Sequence, residues 1–491
     1  MKFYITTAID YVNAAPHLGH AYEKIAADII ARWHRMRGDD VFFLTGTDEN
    51  AQKNEQAAKA AGIETKKFVD KNAKLFMELC KVLNLSNDDF IRTTEPKHIK
   101  VSQAIFNKLY EKKDIYKSNY EGLYCYGCES FKTEKELVNG KCPEHNKEPS
   151  LIKEENYFFR MSKYEKEILK LVSGNFILPE EKRNEIVSRI KSEGLKDLCV
   201  TRKGIKWGIP VSFDKEFKQY VWIDALINYV SALGYPNGAN FKKYWPADCH
   251  LIGKGINWFH TVIWPSILIS AGIKLPKLVF VHGYVNLQGQ KMSKTLGTVV
   301  DPVELVHKYG VDPIRYFLMR EIPFGSDGDF SEEALIKRNN SELADALGNL
   351  LNRVVVMCDK YYKGKIPKAK EDKELSSKLD FKKIDSCIEN YELHNALNEI
   401  WHFIDNCNKY INEKEPWNLA KNNKEEELDL VLFNTAEALR IISQLTYPFM
   451  PETSLKIDEQ LGFKHRDTFD LKWGNAKSKG IKISGNLFKK I

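Results

Sequence analysis

The sequence predicts an α/β protein with an all-α extension: a doubly wound, Rossmann-like parallel sheet, broken by an insertion and followed by a helical bundle. Three observations carry that prediction. Near the amino end a β-rich run, a helix-periodic run and a continuous apolar run follow one another within the first 48 residues. Two more apolar runs with polar ends, HLIGKGINWFH from His250 and LVFVHGYVNL from Leu278, return after a long turn-rich stretch. From about residue 323 to residue 447 the pattern is helical.

Residues 2–8 (KFYITTA) are rich in β-formers, and residues 19–37 put Ile25, Ile29, Ile30, Trp33 and Met36 on one helical face. VFFLTGTD at residues 41–48 suits a strand buried on both faces of a parallel sheet. Residues 1–115 are therefore read as the first half of the sheet domain and residues 116–210, with short turns, Cys and His, as an insertion. Residues 211–288 supply the second half and residues 289–345 a loop and contact region. Residues 346–491 form the helical domain, with a charged linker at 363–373 and a breaker at Pro448. There is no internal repeat and no low-complexity tract.

The chain has 491 residues, 43% hydrophobic and 29% charged, which is enough for about three or four folding units. Its 74 Lys and Arg against 67 Asp and Glu give +7, an excess compatible with an RNA partner but not diagnostic of one. No apolar run approaches the roughly 18 to 20 residues that span a bilayer. The longest, at 262–269, is interrupted by Pro265, so no membrane partner is expected. With a strand starting at Lys2, no leader is expected and the cytoplasm is the expected compartment. Nine cysteines without such a leader argue against a disulfide framework.

Four of the metal-type residues form a pattern. Cys125 and Cys128 make a C-x2-C pair, Cys142 and His145 a C-x2-H pair, and 13 residues separate the pairs. Three thiolates and an imidazole complete a tetrahedron around Zn2+ with no open position, so one structural zinc per chain is expected. Two shorter motifs stand elsewhere. His17-Leu18-Gly19-His20 lies between the first strand and the first helix, and Lys291-Met292-Ser293-Lys294-Thr295 lies in the Gly-flanked loop LQGQKMSKTLG. Alone, the first is an ordinary turn and the second a solvated surface loop. In this order and setting the pair resembles the HIGH and KMSKS signatures of class I aminoacyl-tRNA synthetases, with Thr295 keeping the hydroxyl of the usual Ser.

The resemblance implies attack of a carboxylate on the α-phosphate of ATP, whose transition state needs positioned cations and N–H donors. His17 and His20 would face the phosphates at a helix N-terminus, and Gly19 would leave room for adenine. Gly253 and Ser293 would join them in binding ATP with its Mg2+, while Lys291 and Lys294 hold the departing pyrophosphate. The segments Ala8-Ile9-Asp10-Tyr11-Val12-Asn13, VWIDALINYV and Asn257-Trp258-Phe259-His260 are similar to the methionyl enzymes in particular, and the likeness runs over essentially the whole chain. It implies a methionine pocket of Ile9, Tyr11, Trp222, Ala225, Leu226, Tyr229, Ile256 and His260. The Ile9 N–H and the Tyr229 hydroxyl would lie near the thioether, Asp48 would take the α-ammonium, and Asp224 and Arg202 would complete the lining. It further implies that Asn349, Arg353 and Trp417 read the anticodon of tRNA(Met), and that the cysteine and histidine pairs are the zinc knuckle of the connective peptide.

Three positions depart from the family. Glu49-Asn50-Ala51 stands where Glu-His-Gly is usual, and Gly255 where an acidic residue able to accept hydrogen bonds from the ATP ribose is usual. Two other readings compete. A cysteinyl enzyme would need a zinc with an open position, which a closed Cys3His set does not offer, and an inactive RNA-binding paralogue would not need His17, His20, Lys291 and Lys294 together. Without an appended oligonucleotide-binding module, a monomer is expected.

Overall fold

The computed structural model describes all residues except 128–129, 133, 144–145, 288, 292–299 and 476. Six parallel strands form the main sheet: β1 (Lys2–Tyr11), β2 (Asp40–Asp48), β3 (Asp89–Arg92), β4 (Ile177–Leu178), β5 (Cys249–Gly253) and β6 (Val279–His282). Their order is β3-β2-β1-β5-β6-β4. The chain leaves β1 for β2 on one side and returns to it through β5 on the other, pairing Ile5 with Cys249 and Thr7 with Leu251. That reversal is a topological switch point, and ligands of such sheets bind outside the carboxyl ends of the strands there. β4 falls inside the stretch that the sequence assigns to the insertion, yet Ile177 and Leu178 pair with Val279 and Phe280 of the main sheet. Four insertion strands, Ile115–Cys125, Ser130–Lys132, Ser150–Phe159 and Leu198–Cys199, form a separate antiparallel sheet, and Thr201–Lys203 pairs antiparallel with Phe217–Gln219.

Helix α1 (Leu18–Met36) follows β1 and is buried along nearly its whole length. Its apolar residues share one core with Ile5, Phe43 and Leu251 of the sheet and with Leu343, Leu439 and Ile442 of the carboxyl-terminal helices. A helix packed on two sides cannot show a polar face, which is why Lys24, Asp28 and Arg32 are buried too. Asp28 and Arg32 join α1 to α3 (Val311–Glu321), which comes after α2 (Val221–Ser231). Asp28 accepts from Arg32 Nε at 2.8 Å and from Arg315 Nη2 at 2.7 Å. Arg315 also donates to the carbonyls of Leu83, Pro448 and Phe449 at 3.0, 2.8 and 2.9 Å. Burial opposes the Asp28 charge, but the two guanidiniums outweigh it and hold the carboxyl below its ordinary range.

The helical region contains α4 (Asn349–Tyr362), α5 (Leu393–Lys414), α6 (Pro416–Lys421), α7 (Glu425–Thr446) and α8 (Pro451–Leu461). The sequence reading stops at Pro448 and misses α8. Pro451 starts that helix at a position where proline costs no hydrogen bond. No described helix is long and apolar enough to cross a membrane.

Candidate active site

The pairing of β1 with β2 slips between Thr6 and Ile9. Such a bulge re-aims the residues after it, and here Ile9, Asp10 and Tyr11 line a cavity of about 560 Å³. The opposite walls are the head of α1 with His17, Gly19, His20 and Glu23, and the ends of β5 and β6 with Gly253, Gly255, Ile256, His282 and Tyr284. The cavity thus sits at the switch point of the sheet.

The histidine motif is built by the helix start. His17 is the N-cap of α1, and its Nδ1 accepts the Gly19 N–H at 3.1 Å, while the His17 N–H donates to Nδ1 of His20 at 3.0 Å. A backbone N–H can only donate, so both Nδ1 atoms are bare and each neutral ring carries its proton on Nε2. The two rings lie 3.8 Å apart. Burial, with Lys24 nearby, pushes the His20 pKa down to about 3, so this ring is a neutral N–H donor at physiological pH. Gly19 has a role beyond leaving room for a ligand: a Cβ there would lie 2.9 Å from Cε1 of His17. Behind the histidines, Lys24 Nζ pairs with Asp10 Oδ2 at 2.5 Å, and Asp10 Oδ1 is 3.7 Å from His20 Nε2.

A second buried pair faces the cavity. Glu23 accepts the Ala8 N–H at 2.9 Å through Oε1 and meets Nε2 of His282 at 2.8 Å through Oε2. It thereby ties the β1 bulge to the end of β6. Tyr11 and Trp222 meet edge to face at 6.0 Å, Trp222 stacks on Phe259 at 3.7 Å, and Lys53 Nζ stands 3.0 Å over the Tyr11 ring.

The family description "tRNA synthetases class I (M)" matches residues 3–151 and 144–355, and "Anticodon-binding domain of tRNA ligase" matches residues 342–487. A methionine–tRNA ligase of Caldanaerobacter subterraneus subsp. tengcongensis is 51% identical over 471 residues, covering 94% of this chain and 74% of its own. That of Thermotoga maritima is 47% identical over 507 residues, covering 100% and 80%. The chain belongs to the methionyl-tRNA synthetases. Among solved structures, Mycobacterium tuberculosis methionyl-tRNA synthetase in complex with methionyl-adenylate superposes with a TM-score of 0.95 at 40% identity, covering 99% of both chains. The free form of that enzyme gives 0.88 at 37% identity, covering 100% of this chain and 98% of its own. The protein is a class I methionine–tRNA ligase that binds ATP.

Within this synthetase the structure separates the expected methionine residues into two layers. Ile9, Tyr11, Trp222 and Ile256 line the cavity together with His17, Gly19, His20 and Gly253. Tyr229 and His260 are buried, with the Tyr229 hydroxyl 2.7 Å from His260 Nε2 and His260 Nδ1 3.0 Å from the Ile256 carbonyl. The carbonyl fixes the proton on Nδ1, so Tyr229 donates to Nε2, and burial holds His260 neutral with a pKa of about 4. The Tyr229 proton is therefore committed to His260. Ala225, Leu226 and Asp48 are also buried. Asp224 lies deeper, 3.7 Å from Nε2 of His98, where burial raises its carboxyl well above the usual range against a hydrogen bond from Asn50. Arg202 sits between the rings of Tyr124 and Tyr220, at 4.6 and 4.5 Å.

Lys291 lies on the short strand Gln290–Lys291, whereas Ser293 and Lys294 lie outside the described residues. Cys125 ends an insertion strand and Cys142 opens a turn closed by the Asn146 N–H on its carbonyl at 2.8 Å. Both cysteines are buried, while Cys128 and His145 lie outside the described residues. In the bundle, Asn349 and Arg353 share α4, and Arg353 donates to Asn412 Oδ1 at 2.7 Å and Asn408 Oδ1 at 2.5 Å. Trp417 on α6 is 41% exposed, so it is not a core residue. Sequence reasoning passed over Glu23, Lys53, His282 and Tyr284. His282 ends β6 and Tyr284 follows it, and a position at the carboxyl end of a parallel strand is the signal that could have marked them.

Proposed function

We propose that the cavity at the head of α1 is where this synthetase makes methionyl-adenylate. The observation that carries the proposal is the pair of histidines fixed with Nε2–H on a helix N-terminus that opens into the cavity. The methionine carboxylate attacks the α-phosphorus of ATP, which enters as its Mg2+ complex, and pyrophosphate departs with the electrons of the broken P–O bond. His17 and His20 donate Nε2–H bonds to the phosphate oxygens on which charge builds, reinforced by the helix dipole. Lys291 and Lys294 hold the pyrophosphate, with Ser293 beside them. Tyr11 and Trp222 form the wall for the methionine chain with Ile9 and Ile256, and the Tyr229–His260 pair shapes its floor. Asp48 takes the α-ammonium.

In the second step the terminal adenosine hydroxyl of tRNA(Met) attacks the acyl carbon and AMP leaves. The bundle reads the anticodon through Asn349, Arg353 and Trp417, an exposed indole, an amide and a guanidinium being side chains suited to stacking and edge recognition. We place the protein in the cytoplasm, as a monomer. Cys125, Cys128, Cys142 and His145 would hold one Zn2+. The donor set fits that ion, and two buried thiols at a strand end and a closed turn suit a structural role, in which the metal fixes the loops of the insertion. Metal analysis should find one zinc per chain, lost in Cys125→Ser.

Methionine-dependent exchange of pyrophosphate into ATP tests the central reading. Exchange with methionine and none with cysteine, isoleucine or valine is the expected result. Equal exchange with any of those three would overturn the pocket assignment.

A further inference from the structure

The turn after α8 and a later stretch of chain enclose, against α7, a second cavity of about 250 Å³ that shares no residue with the one at the head of α1. Among its described lining residues five are cationic, Arg440, Lys464, Arg466, Lys477 and Lys479, and one is acidic, Asp458. That acid is already engaged: Oδ1 accepts from the Ser443 hydroxyl and Oδ2 lies 3.0 Å from His465 Nδ1. Arg440 pairs with Glu437 at 2.9 Å and Arg466 with Asp470 at 3.2 Å. Lys464, Lys477 and Lys479 make no ion pair among the described residues. Three uncompensated ammonium groups around one concavity repel one another, a cost that an entering anion would reverse. The walls are fixed as well. Arg440 Nη2 donates to the Lys472 carbonyl at 2.7 Å and Gln444 accepts the Asp470 N–H at 2.7 Å, which fastens the chain before the cavity to α7. Beyond it, the Lys479 N–H donates to the Gly462 carbonyl at 2.9 Å, and a Cβ on Gly462 would collide with the Gly480 carbonyl. Glycine at 462 is therefore what lets the two stretches touch.

We propose that this cavity is an anion site that takes two or more closely spaced phosphate groups. Phe463 is the one apolar side chain among its described lining residues, too little to hold a ligand by burial. Arg440 and Gln444 are spent on backbone groups and form the floor, so the ligand meets Lys464, Arg466, Lys477 and Lys479. A guanidinium fork and three ammonium groups on flexible stems suit phosphate oxygens, which carry several negative charges in a small volume. A single carboxylate would answer only one of those cations. The phosphates come either from a free oligophosphate or from consecutive backbone positions of an RNA strand. The proposal is independent of where ATP binds.

The test is calorimetric titration of the full chain with inorganic tripolyphosphate, native against the triple variant Lys464→Gln, Lys477→Gln, Lys479→Gln. Any binding at the ATP cavity is common to both proteins and drops out of the difference. The triple variant should bind one equivalent about 10- to 100-fold more weakly, the scale of three exposed charge contacts, with native methionine-dependent pyrophosphate exchange. Each single variant should lose part of that factor. Lys482, which pairs with Glu459 and does not line the cavity, is the control. Native affinity in the triple variant, or an equal loss in Lys482→Gln, would overturn the site in favour of none or of diffuse surface charge. The KM for tRNA(Met) in aminoacylation separates the two sources. If tripolyphosphate binding falls while that KM holds, the ligand is a free oligophosphate. If both change while exchange holds, the RNA backbone supplies the phosphates. A raised KM with native tripolyphosphate affinity would show an extended RNA surface and reject the cavity.

Discussion

The two ends of α1 are built on opposite principles. At its head, the rings of His17 and His20 spend their Nδ1 atoms on backbone N–H groups and keep Nε2–H at the cavity side. Half a helix further on, Asp28, Arg32 and Arg315 are committed to each other and to backbone carbonyls in the interior. The head is a site prepared for a ligand and the tail a fixed joint between the sheet and the carboxyl-terminal helices. One helix serves both because a rigid rod anchored at its tail holds its head still. Preorganisation of donors is what transition-state stabilisation requires.

Breaking the joint should give the largest effect. Arg315→Met leaves the Leu83, Pro448 and Phe449 carbonyls without their donor in the interior and removes one of the two guanidiniums on Asp28. Breaking a buried ion pair from one side costs about 3 to 5 kcal/mol. Denaturant unfolding should register that loss; a native-like midpoint would mean that the helix is anchored by its apolar contacts alone.

At the head the effect should fall on rate instead. His20→Ala should slow adenylate formation by about 10²- to 10³-fold, the scale for losing one preorganised donor, with methionine affinity nearly unchanged. Lys294→Ala should act similarly on the pyrophosphate side. A variant that keeps its activation rate while losing methionine binding would contradict the role given to it.

These two ends also differ in how far they can be read from the chain. The His17–His20 turn between strand and helix was legible because it lies in a short contiguous run. The six-stranded sheet was legible in its long apolar strands but not in β3 or β4, whose four and two residues are too short to show a periodicity. Asp28 with Arg315 and Glu23 with His282 join residues separated by 287 and 259 positions, so no local pattern announces either pair. The packing of α1 on both sides could be suspected from its apolar content, but not the identity of its second partner. The approach of the Tyr284 hydroxyl to Gly255 is of the same kind, since nothing local in the sequence announces it.

A third expectation compares the head of α1 with the distant bundle. Trp417 is exposed, and loss of an aromatic platform costs about 1 to 3 kcal/mol per stacked base. Trp417→Ala should therefore weaken aminoacylation by about 10- to 100-fold, while pyrophosphate exchange, which involves no tRNA, holds its native rate. A parallel fall in both assays would mean that the substitution damages the fold.

The smallest effect, graded with pH, separates the two ends once more. His20 and His98 have pKa values pushed down to about 3, and His260 to about 4, in each case chiefly by burial. In the unfolded chain each titrates near 6.5. Between the folded and unfolded values the unfolded state binds more protons, so stability rises with pH there and falls as pH is lowered below about 6.5. Each such histidine should contribute a loss of about 1 kcal/mol per pH unit in that window. The Asp28 joint has the other sign of origin but the same direction: its carboxyl is held below the ordinary range, so its contribution is complete above about 4 and is lost only as pH falls through the depressed value. Destabilisation between pH 6 and 5 therefore reports the neutral histidines, and destabilisation below about 4 adds the joint. The catalytic consequence is a null result. Because His20 remains neutral across pH 6 to 8, it should add no inflection to the pH profile of adenylate formation in that range, and His20→Asn should leave the shape of the profile unaltered while lowering its height. An inflection near 6.5 that disappears in His20→Asn would show instead that His20 works as an imidazolium.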